Sequence, residues 1–218
     1  MDLIGLIAVY LYVFILIILS EKILSSYPVL SRKFLHIMVG NILFILPLFE
    51  NKYVMTFLAA APFIPLTFLM SPYSPLKIES KASSAGHGLG LVYYSISWTV
   101  LAYVFFYEKF FIAIGIVAMS YGDGFASLLG TKFGKRKYKI FGDEKSIEGS
   151  LSMFFAIILF GAIAMLYYNF FDGIKSVLLL TFISFFATVV EAITPKGLDN
   201  ITVSLTASLL CYGIKCAL

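Results

Sequence analysis

The chain has few charged residues for its length. Only 13% of its 218 residues are Asp, Glu, Lys or Arg, whereas 61% are hydrophobic. A soluble domain has about a quarter charged and about half apolar residues, so this composition excludes an ordinary soluble domain. It predicts a protein with several membrane-spanning segments.

Cysteine and histidine are scarce too. The two cysteines, Cys211 and Cys216, both lie in the last apolar segment, where packing explains them. The sequence has no Cys/His spacing typical of a metal site. Residues 1–20 have neither a basic start nor a small-residue cleavage site, so we expect a retained first helix rather than a signal peptide.

Two common nucleotide-binding motifs are also missing. A P-loop has four residues between its two glycines and a Ser or Thr after its lysine. Here three residues separate Gly130 from Gly134, and Arg136 follows Lys135. GHGLG at residues 86–90 lacks the preceding strand of a dinucleotide fingerprint. The sequence also has a basic loop between two apolar segments, at about residues 131–148. This loop is too short to favour nucleic acid, and anionic lipid head groups or a nucleotide fit it better.

Long apolar segments predict membrane-spanning helices, which need about 20 residues each. Continuous runs of this length are too long for barrel strands, and only helices or closed barrels span membranes. We predict an all-α polytopic membrane helical bundle, a single integral-membrane catalytic domain over residues 1–218. We expect about eight transmembrane helices. The last apolar segment is diluted by Ser and Thr, and the number is seven if this segment does not span the membrane. The segments cover residues 3–20, 34–49, 53–70, 89–107, 110–130, 150–169, 174–193 and 199–217.

Lysine and arginine concentrate in alternate loops. The first, third, fifth and seventh loops hold three, two, six and one of the sixteen, the other three loops hold one each, and Lys215 lies at the C-terminal end. The positive-inside rule places the richer loops in the cytoplasm and both termini outside. Most buried-looking carboxylates and histidines lie at the same end, so we expect a cell-membrane protein with a cytoplasmic active site. The glycine-rich stretch at residues 77–90 fits a long loop better than a lid.

Asp123 lies between two glycines inside the fifth apolar segment. At a rise of 1.5 Å per residue it lies about 20 Å along this helix, where an aspartate costs roughly 2.5–3.5 kcal/mol. Ser120, Ser127 and Gly130 share its helix face. An ion pair made only for packing is the alternative, but intramembrane carboxylates are usually functional.

A basic loop at about residues 131–148 follows Asp123. Lys145 lies three residues before Glu148 and can share a helix face with it, and a lysine beside a metal-holding carboxylate recurs in phosphoryl transfer. The other cations could bind phosphate or only keep the loop inside, and for Lys137 and Lys139 the second interpretation is at least as good. The loop residues predicted to bind phosphate are Lys132, Lys135 and Arg136.

The second apolar segment begins with Arg32, Lys33 and His36. Their spacing of three and four residues lets them point to one side of a helix. Arg32 and Lys33 could bind phosphate, while His36 donates a hydrogen bond or acts as a base. A membrane anchor with a hydrogen-bonded histidine explains them equally well.

A last polar cluster surrounds the end of the seventh segment. Helix capping explains Asp199 but not Glu191, which lies one turn inside the apolar run. Asn200 follows and could contact phosphate. Magnesium usually takes one or two carboxylates together with substrate phosphates. The candidate metal ligands are Asp123, Glu148, Glu191 and Asp199, and spacing does not choose among them.

Four motifs occur in a recognisable order: RKFLHIMVG, GDGFASLLGTKFGKRK, EKSIEGS and EAITPKGLDNITV. This order resembles the polyprenol kinase family, which includes dolichol kinase and phytol kinase, and more distantly the CDP-diglyceride synthases. The resemblance implies a kinase that uses a nucleoside triphosphate, typically CTP, and Mg²⁺ to phosphorylate a long isoprenoid alcohol such as a polyprenol, dolichol, phytol or geranylgeraniol.

The resemblance also assigns roles by motif. It places Asp123 in a Gly-Asp motif, where it would bind Mg²⁺ or take the hydroxyl proton, and Glu148 in a K-x-x-E-G element in which Ser146 replaces a common threonine. The predicted catalytic residues are Asp123, Lys145, Glu148 and His36. The predicted nucleotide-binding residues are Arg32, Lys33, Lys132, Lys135, Arg136 and Asn200.

Two other functions remain as alternatives. One is a CTP-dependent cytidylyltransferase that makes a CDP-activated lipid, but the His-Gly-Gly and Asp-Arg run typical of the CDP-diglyceride synthases is missing near the C-terminus. The other is a non-enzymatic transporter, which often shows internal repeats, and the sequence shows no convincing repeat.

Overall fold

The computed structural model describes residues 1–24, 26–76, 88–141, 143–195 and 197–217. Most of the stretch that we expect to be a long loop, residues 77–90, therefore lies outside the described residues. Within the described residues the fold is helical except for one β-hairpin.

Helices follow one another with short connections, and several change their hydrogen-bonding pattern along their length. In the first half these are α1 (Asp2–Ile18) with a π-helical extension (Leu19–Ile23), α2 (Pro28–Val39) with 3₁₀ turns (Gly40–Phe44, Leu46–Leu48), a π-helix (Val54–Ala60), α3 (Phe63–Leu69) and α4 (Gly90–Val104). In the second half they are α5 (Lys109–Ile116), a π-helix (Val117–Gly122), α6 (Asp123–Phe133), α7 (Ile147–Tyr167), α8 (Gly173–Ile193) and α9 (Asp199–Ala217).

Among the described residues, four helical stretches are long and apolar enough to cross a membrane: Asp2–Ile23, Lys109–Phe133, Ile147–Tyr167 and Gly173–Ile193. Val54–Leu69 and Gly90–Val104 are apolar but shorter. The prediction of a mostly helical membrane protein is thus confirmed. The count of eight spans and the side of the termini stay predictions. The predicted segment 34–49 does not form one continuous α-helix but ends in 3₁₀ turns. Pro47 lies in the last of these turns and has no N–H group to continue a helix.

The stretch Lys109–Phe133 lies at the centre of the bundle. Its apolar window is 72% buried, against 28% to 39% for the other three long stretches. Glycines allow this close packing, because a Cβ atom at Gly115 would overlap Ser208, and one at Gly124 would overlap Ile37. Small residues at helix contacts let membrane helices approach closely. Asp123 is therefore carried on the most enclosed helix of the described bundle.

The basic loop contains a β-hairpin that an all-α prediction does not include. Its strands, β1 (Lys137–Ile140) and β2 (Asp143–Ser146), pair antiparallel with Tyr138 opposite Lys145. Lysines alternate with β-forming Tyr138 and Ile140, a pattern of period two that favours a strand. The Tyr138 hydroxyl lies 2.6 Å from the Ser150 hydroxyl and ties the hairpin to α7. The hairpin thereby returns Lys145 to the helix ends.

Candidate active site

Polar side chains converge on a cavity of about 620 Å³ where several helices end. Its wall is built from α2, α6, the hairpin, the first turn of α7, the end of α8 and the start of α9. The ionisable residues that line it are Arg32, Lys33, His36, Asp123, Lys137, Glu144, Lys145, Glu191 and Asp199.

Three carboxylates from three different helices meet in this cavity. Asp123 opens α6, Glu191 lies in the last turn of α8, and Asp199 opens α9. One carboxylate oxygen from each lies within 4.8 Å of the others. Carboxylate oxygens are the ligands that Mg²⁺ prefers, and collecting three negative charges in a largely buried place requires compensation by cations. The donor set therefore fits a divalent cation.

His36 lies against the carboxylate of Asp123. Its Nε2 atom is 3.3 Å from Asp123 Oδ2 and 2.8 Å from the carbonyl oxygen of Met119. A carbonyl oxygen can only accept, so Nε2 carries the hydrogen and donates it on this side. In this arrangement Nε2 has no free lone pair with which to remove a proton.

Lys145 joins the hairpin to the end of α8. Its ammonium lies 2.7 Å from Glu191 Oε1, and it also donates to the carbonyl oxygens of Glu191 and, at 3.4 Å, Thr194. An ammonium group has three donors, and these contacts use them. Lys145 thus neutralises one of the three carboxylates, and a phosphate group would have to compete for it.

Arg32 and Lys33 line the cavity together with His36, which agrees with their helical spacing. Burial lowers the pKa of the Arg32 guanidinium, while the charges of Asp123 and Asp199 raise it. The group remains a cation because its unperturbed pKa is very high. A Cβ atom at Gly90 would lie 2.9 Å from Arg32 Nη2, so glycine leaves the space that the guanidinium occupies.

Asn200 lines the cavity and has one side-chain polar atom without a partner among the described residues. Its amide nitrogen donates to the carbonyl oxygen of Gly90 at 3.0 Å. Its Oδ1 atom is buried and has no hydrogen-bond partner among the described residues. An amide oxygen accepts hydrogen bonds and binds cations. The free atom of Asn200 therefore suits a cation or a hydroxyl donor better than the phosphate that we predict from its motif.

Glu148 is placed differently from the other predicted metal ligands. It is not among the residues that line the described cavity. Its carboxylate accepts hydrogen bonds from the main-chain N–H groups of Lys135 and Arg136 at 3.1–3.3 Å. Lys145 and Glu148 do not share a helix face, because Lys145 lies in β2 and α7 begins only at Ile147. Glu148 thus fixes the turn that follows α6.

The cations of the basic loop divide into two groups. Lys132, Lys135 and Arg136, which we predict to bind phosphate, are exposed and are not among the described lining residues. Lys137 does line the cavity and pairs with Glu144 at 2.6 Å. The hydrogen bond from Lys137 lowers the pKa of Glu144. The alternation of lysine with Tyr138 and Ile140 is the signal that could have identified Lys137.

Small residues bring α6 and α7 together beside the carboxylates. Ser127 and Gly130 line the cavity with Asp123, as their shared helix face predicts, whereas Ser120 instead bonds to Tyr94 at 2.7 Å. A Cβ atom at Gly130 would lie 3.3 Å from the Cα atom of Gly149 in α7. The N-terminal turn of α7, which is capped by the Ser146 hydroxyl at 3.1 Å, forms part of the wall. A helix N-terminus favours bound anions.

Known proteins resemble this chain along nearly all of its length. A phytol kinase from Synechocystis sp. is 30% identical over 218 residues, which cover 96% of this chain and 90% of that protein. Phytol kinase 1, chloroplastic, from Arabidopsis thaliana is 34% identical over 207 residues, and a probable phytol kinase, chloroplastic, from Triticum aestivum is 32% identical over 204. These two matches cover 84% of this chain and 66% of each plant protein.

Neither a family model nor a solved structure matches the chain. The relationship therefore depends on the sequence identity and on its coverage. The Synechocystis relative is 30% identical over 96% of this chain and 90% of its own length, which is enough to assign the family. The chain belongs to the phytol kinase family, within the polyprenol kinases that its motifs resemble.

Proposed function

We propose that the protein is a lipid-alcohol kinase, which transfers the γ-phosphate of a nucleoside triphosphate to a long-chain isoprenoid alcohol. One observation carries the proposal: Asp123, Glu191 and Asp199 meet in a cavity that also contains Arg32 and Lys145. Carboxylates for a metal ion beside cations for phosphate are the components of phosphoryl transfer. Relatives named phytol kinase supply the class of alcohol.

The three carboxylates would hold Mg²⁺, with Asn200 Oδ1 as a neighbouring neutral ligand. The ion, when bound, would neutralise charge on the phosphate oxygens. Two of the carboxylates already have fixed partners, because His36 lies at Asp123 and Lys145 lies at Glu191. These partners hold the oxygen atoms in place before a ligand arrives, which reduces the reorganisation that binding requires.

Arg32, Lys33, Lys137 and Lys145 would contact the triphosphate. All four line the cavity, and the N-terminal turn of α7 adds the positive end of a helix dipole. Three further cations do not line the described cavity: Lys132, Lys135 and Arg136. They would attract the triphosphate from outside the cavity through their positive field. The cations and the carboxylates therefore have separate tasks within one cavity.

Asp123 would contact the reacting hydroxyl group or hold the metal ion next to it. In the reaction the alcohol oxygen forms a bond to the γ-phosphorus, the bond between that phosphorus and the β,γ-bridging oxygen breaks, and a nucleoside diphosphate leaves. The hydroxyl proton passes to Asp123 or to water. Since such a transition state requires mainly positioning and charge neutralisation, His36 contributes by fixing the orientation of Asp123.

CTP is the proposed donor and a polyprenol or phytol-like alcohol the proposed acceptor, at the cytoplasmic face of a cell membrane. The resemblance to polyprenol kinases supports the donor, and the concentration of lysine in alternate loops supports the side. Purified protein with Mg²⁺, each of the four nucleoside triphosphates and a panel of prenols tests both partners. We expect a lipid monophosphate, formed fastest with CTP.

Isotope position separates this reaction from cytidylyl transfer. With CTP labelled in the γ-phosphate, a kinase places the label on the lipid. With CTP labelled in the α-phosphate, only a cytidylyltransferase does so. Label from the α-position on the lipid, or no lipid product with any triphosphate, contradicts the proposal.

A further inference from the structure

A second, narrow cavity of about 60 Å³ lies among α1, α2, α3 and α4. Its lining is mostly hydrocarbon and aromatic ring, with Ile17, Leu35 and Trp98 as examples. The hydroxyl groups of Thr67 and Ser95 also lie there, but they donate to the carbonyl oxygens of their own helices, at 2.6 Å and 3.0 Å. The cavity therefore presents a surface for an apolar ligand.

His36 connects this apolar cavity to the polar one, because it lines both. Its Nε2 atom faces Asp123 on the polar side. On the apolar side the ring lies edge to face against Tyr94, with 5.3 Å between the ring centroids. The hydroxyl end of a lipid alcohol at Asp123 and the start of its hydrocarbon chain would thus lie on opposite sides of the same imidazole ring.

The apolar cavity also reaches the outer surface of the bundle. Leu66 lines it, and the side chain of Leu66 is 41% exposed. The neighbouring helical stretches Val54–Leu69 and Gly90–Val104 are shorter than the four long ones. In a membrane, the exposed part of Leu66 would face lipid, so a hydrocarbon chain that enters beside it would not cross water.

We propose that this apolar cavity binds the isoprenoid chain of the acceptor alcohol, with its hydroxyl group at His36 and Asp123. The inference depends on the proposed kinase function for the identity of the hydroxyl group. At about 60 Å³ the cavity accommodates only the part of the chain next to the hydroxyl group, and a diacyl phospholipid would bring a second chain to the same space. The chain binds by apolar burial, and the polar end is positioned by the carboxylate.

A matched pair of substitutions on α1 tests the location. Ile17→Trp fills the cavity, whereas Ile15→Trp adds the same side chain at a position that is 45% exposed and is not among the described lining residues. The larger side chain of Ile17→Trp would overfill the cavity, which is unfavourable. We therefore expect the KM for geranylgeraniol to rise about tenfold or more, while the KM for the nucleotide is unchanged. Ile15→Trp should stay within about twofold of the parent. Equal changes in both variants, or no change in either, overturn the inference.

A photoaffinity experiment gives a readout that does not depend on turnover. A geranylgeraniol analogue with a diazirine in the isoprene unit next to the hydroxyl group should label peptides that contain Ile17, Leu66 or Trp98, and unlabelled geranylgeraniol should compete. Labelling confined to the outer faces of α7 and α8, or no labelling that geranylgeraniol displaces, overturns the proposed binding site. If the apolar cavity is labelled but the protein phosphorylates no prenol, the binding site is supported and the kinase function is contradicted. If the protein phosphorylates prenols but the label lies elsewhere, the kinase function is supported and the binding site is contradicted.

Discussion

The carboxylate cluster and the turn after α6 are both rich in charge, but they are built in different ways. Asp123, Glu191 and Asp199 come from three helices and meet inside the bundle. In the turn, Glu148 is satisfied locally by the main-chain N–H groups of Lys135 and Arg136. These two donors occupy part of the acceptor capacity of the Glu148 carboxylate, which is not among the residues that line the described cavity. Charge density along the sequence is thus a poorer guide to the site than convergence in space.

Removal of the Asp123 charge should give the largest effect. Asp123→Asn keeps the shape of the side chain but removes the charge that would hold metal or accept the hydroxyl proton, so we expect turnover to fall by about 10³-fold or more. Asp172→Asn, at an exposed position at the other end of α8, is the matched control and should retain parental activity. Equal melting temperatures would show that both variants fold, and an active Asp123→Asn would exclude the proposed role.

Loss of the Lys145 ammonium should affect both activity and stability. Lys145→Met leaves Glu191 buried without its ion-pair partner, and breaking a buried pair costs about 3–5 kcal/mol of stability. We therefore expect a lower melting temperature. The rate of phosphorylation should fall about 10²-fold. The double variant Lys145→Met/Glu191→Gln removes both charges. It should recover stability but not activity, measured by thermal unfolding and lipid phosphorylation. Recovery of both would reduce Lys145 to a structural residue.

A smaller effect is expected at Glu148, which carries the same charge outside the cluster. Glu148→Gln keeps an oxygen that accepts from the N–H groups of Lys135 and Arg136, so the turn should loosen without disappearing. Activity should fall about tenfold at most, and its dependence on Mg²⁺ concentration should be unchanged. A large shift in that dependence would return Glu148 to the set of metal ligands.

The smallest effect should separate two lysines of the same loop. Lys137 lines the cavity, whereas Lys135 does not line it in the described structure. Lys137→Ala should raise the KM for the nucleotide several-fold, an effect that weakens as salt is added because exposed charges are screened. Lys135→Ala should change it by about twofold or less. Steady-state kinetics at two ionic strengths measure both, and equal effects would place the triphosphate outside the cavity.

The sequence predicted those features that depend on composition and local order. Low charge and long apolar runs predicted a helical membrane protein, and the order of four motifs predicted the family. Helical spacing placed Arg32, Lys33 and His36 on one side, and all three line the cavity. These inferences need only composition, the order of motifs along the chain and helical spacing, and none of them needs a tertiary contact.

Features that depend on tertiary contacts could not be predicted. Glu191 and Asp199 lie far along the chain from Asp123, so spacing could not show that these three, rather than Glu148, come together. The hairpin was missed because residues 131–148 were interpreted only as a basic loop, although lysine alternates with Tyr138 and Ile140 as in a strand. Likewise, the apolar cavity joins residues of four helices, and nothing in their sequences relates them.

Metal binding tests the central claim most directly, namely that Asp123, Glu191 and Asp199 form one cation site. Electron paramagnetic resonance can count Mn²⁺ bound to the purified protein in lipid nanodiscs, with and without CTP. We expect Asp123→Asn, Glu191→Gln and Asp199→Asn each to weaken binding about tenfold or more, and Glu148→Gln to leave it unchanged. Binding that is insensitive to all three changes, or that is lost only with Glu148→Gln, would contradict the account.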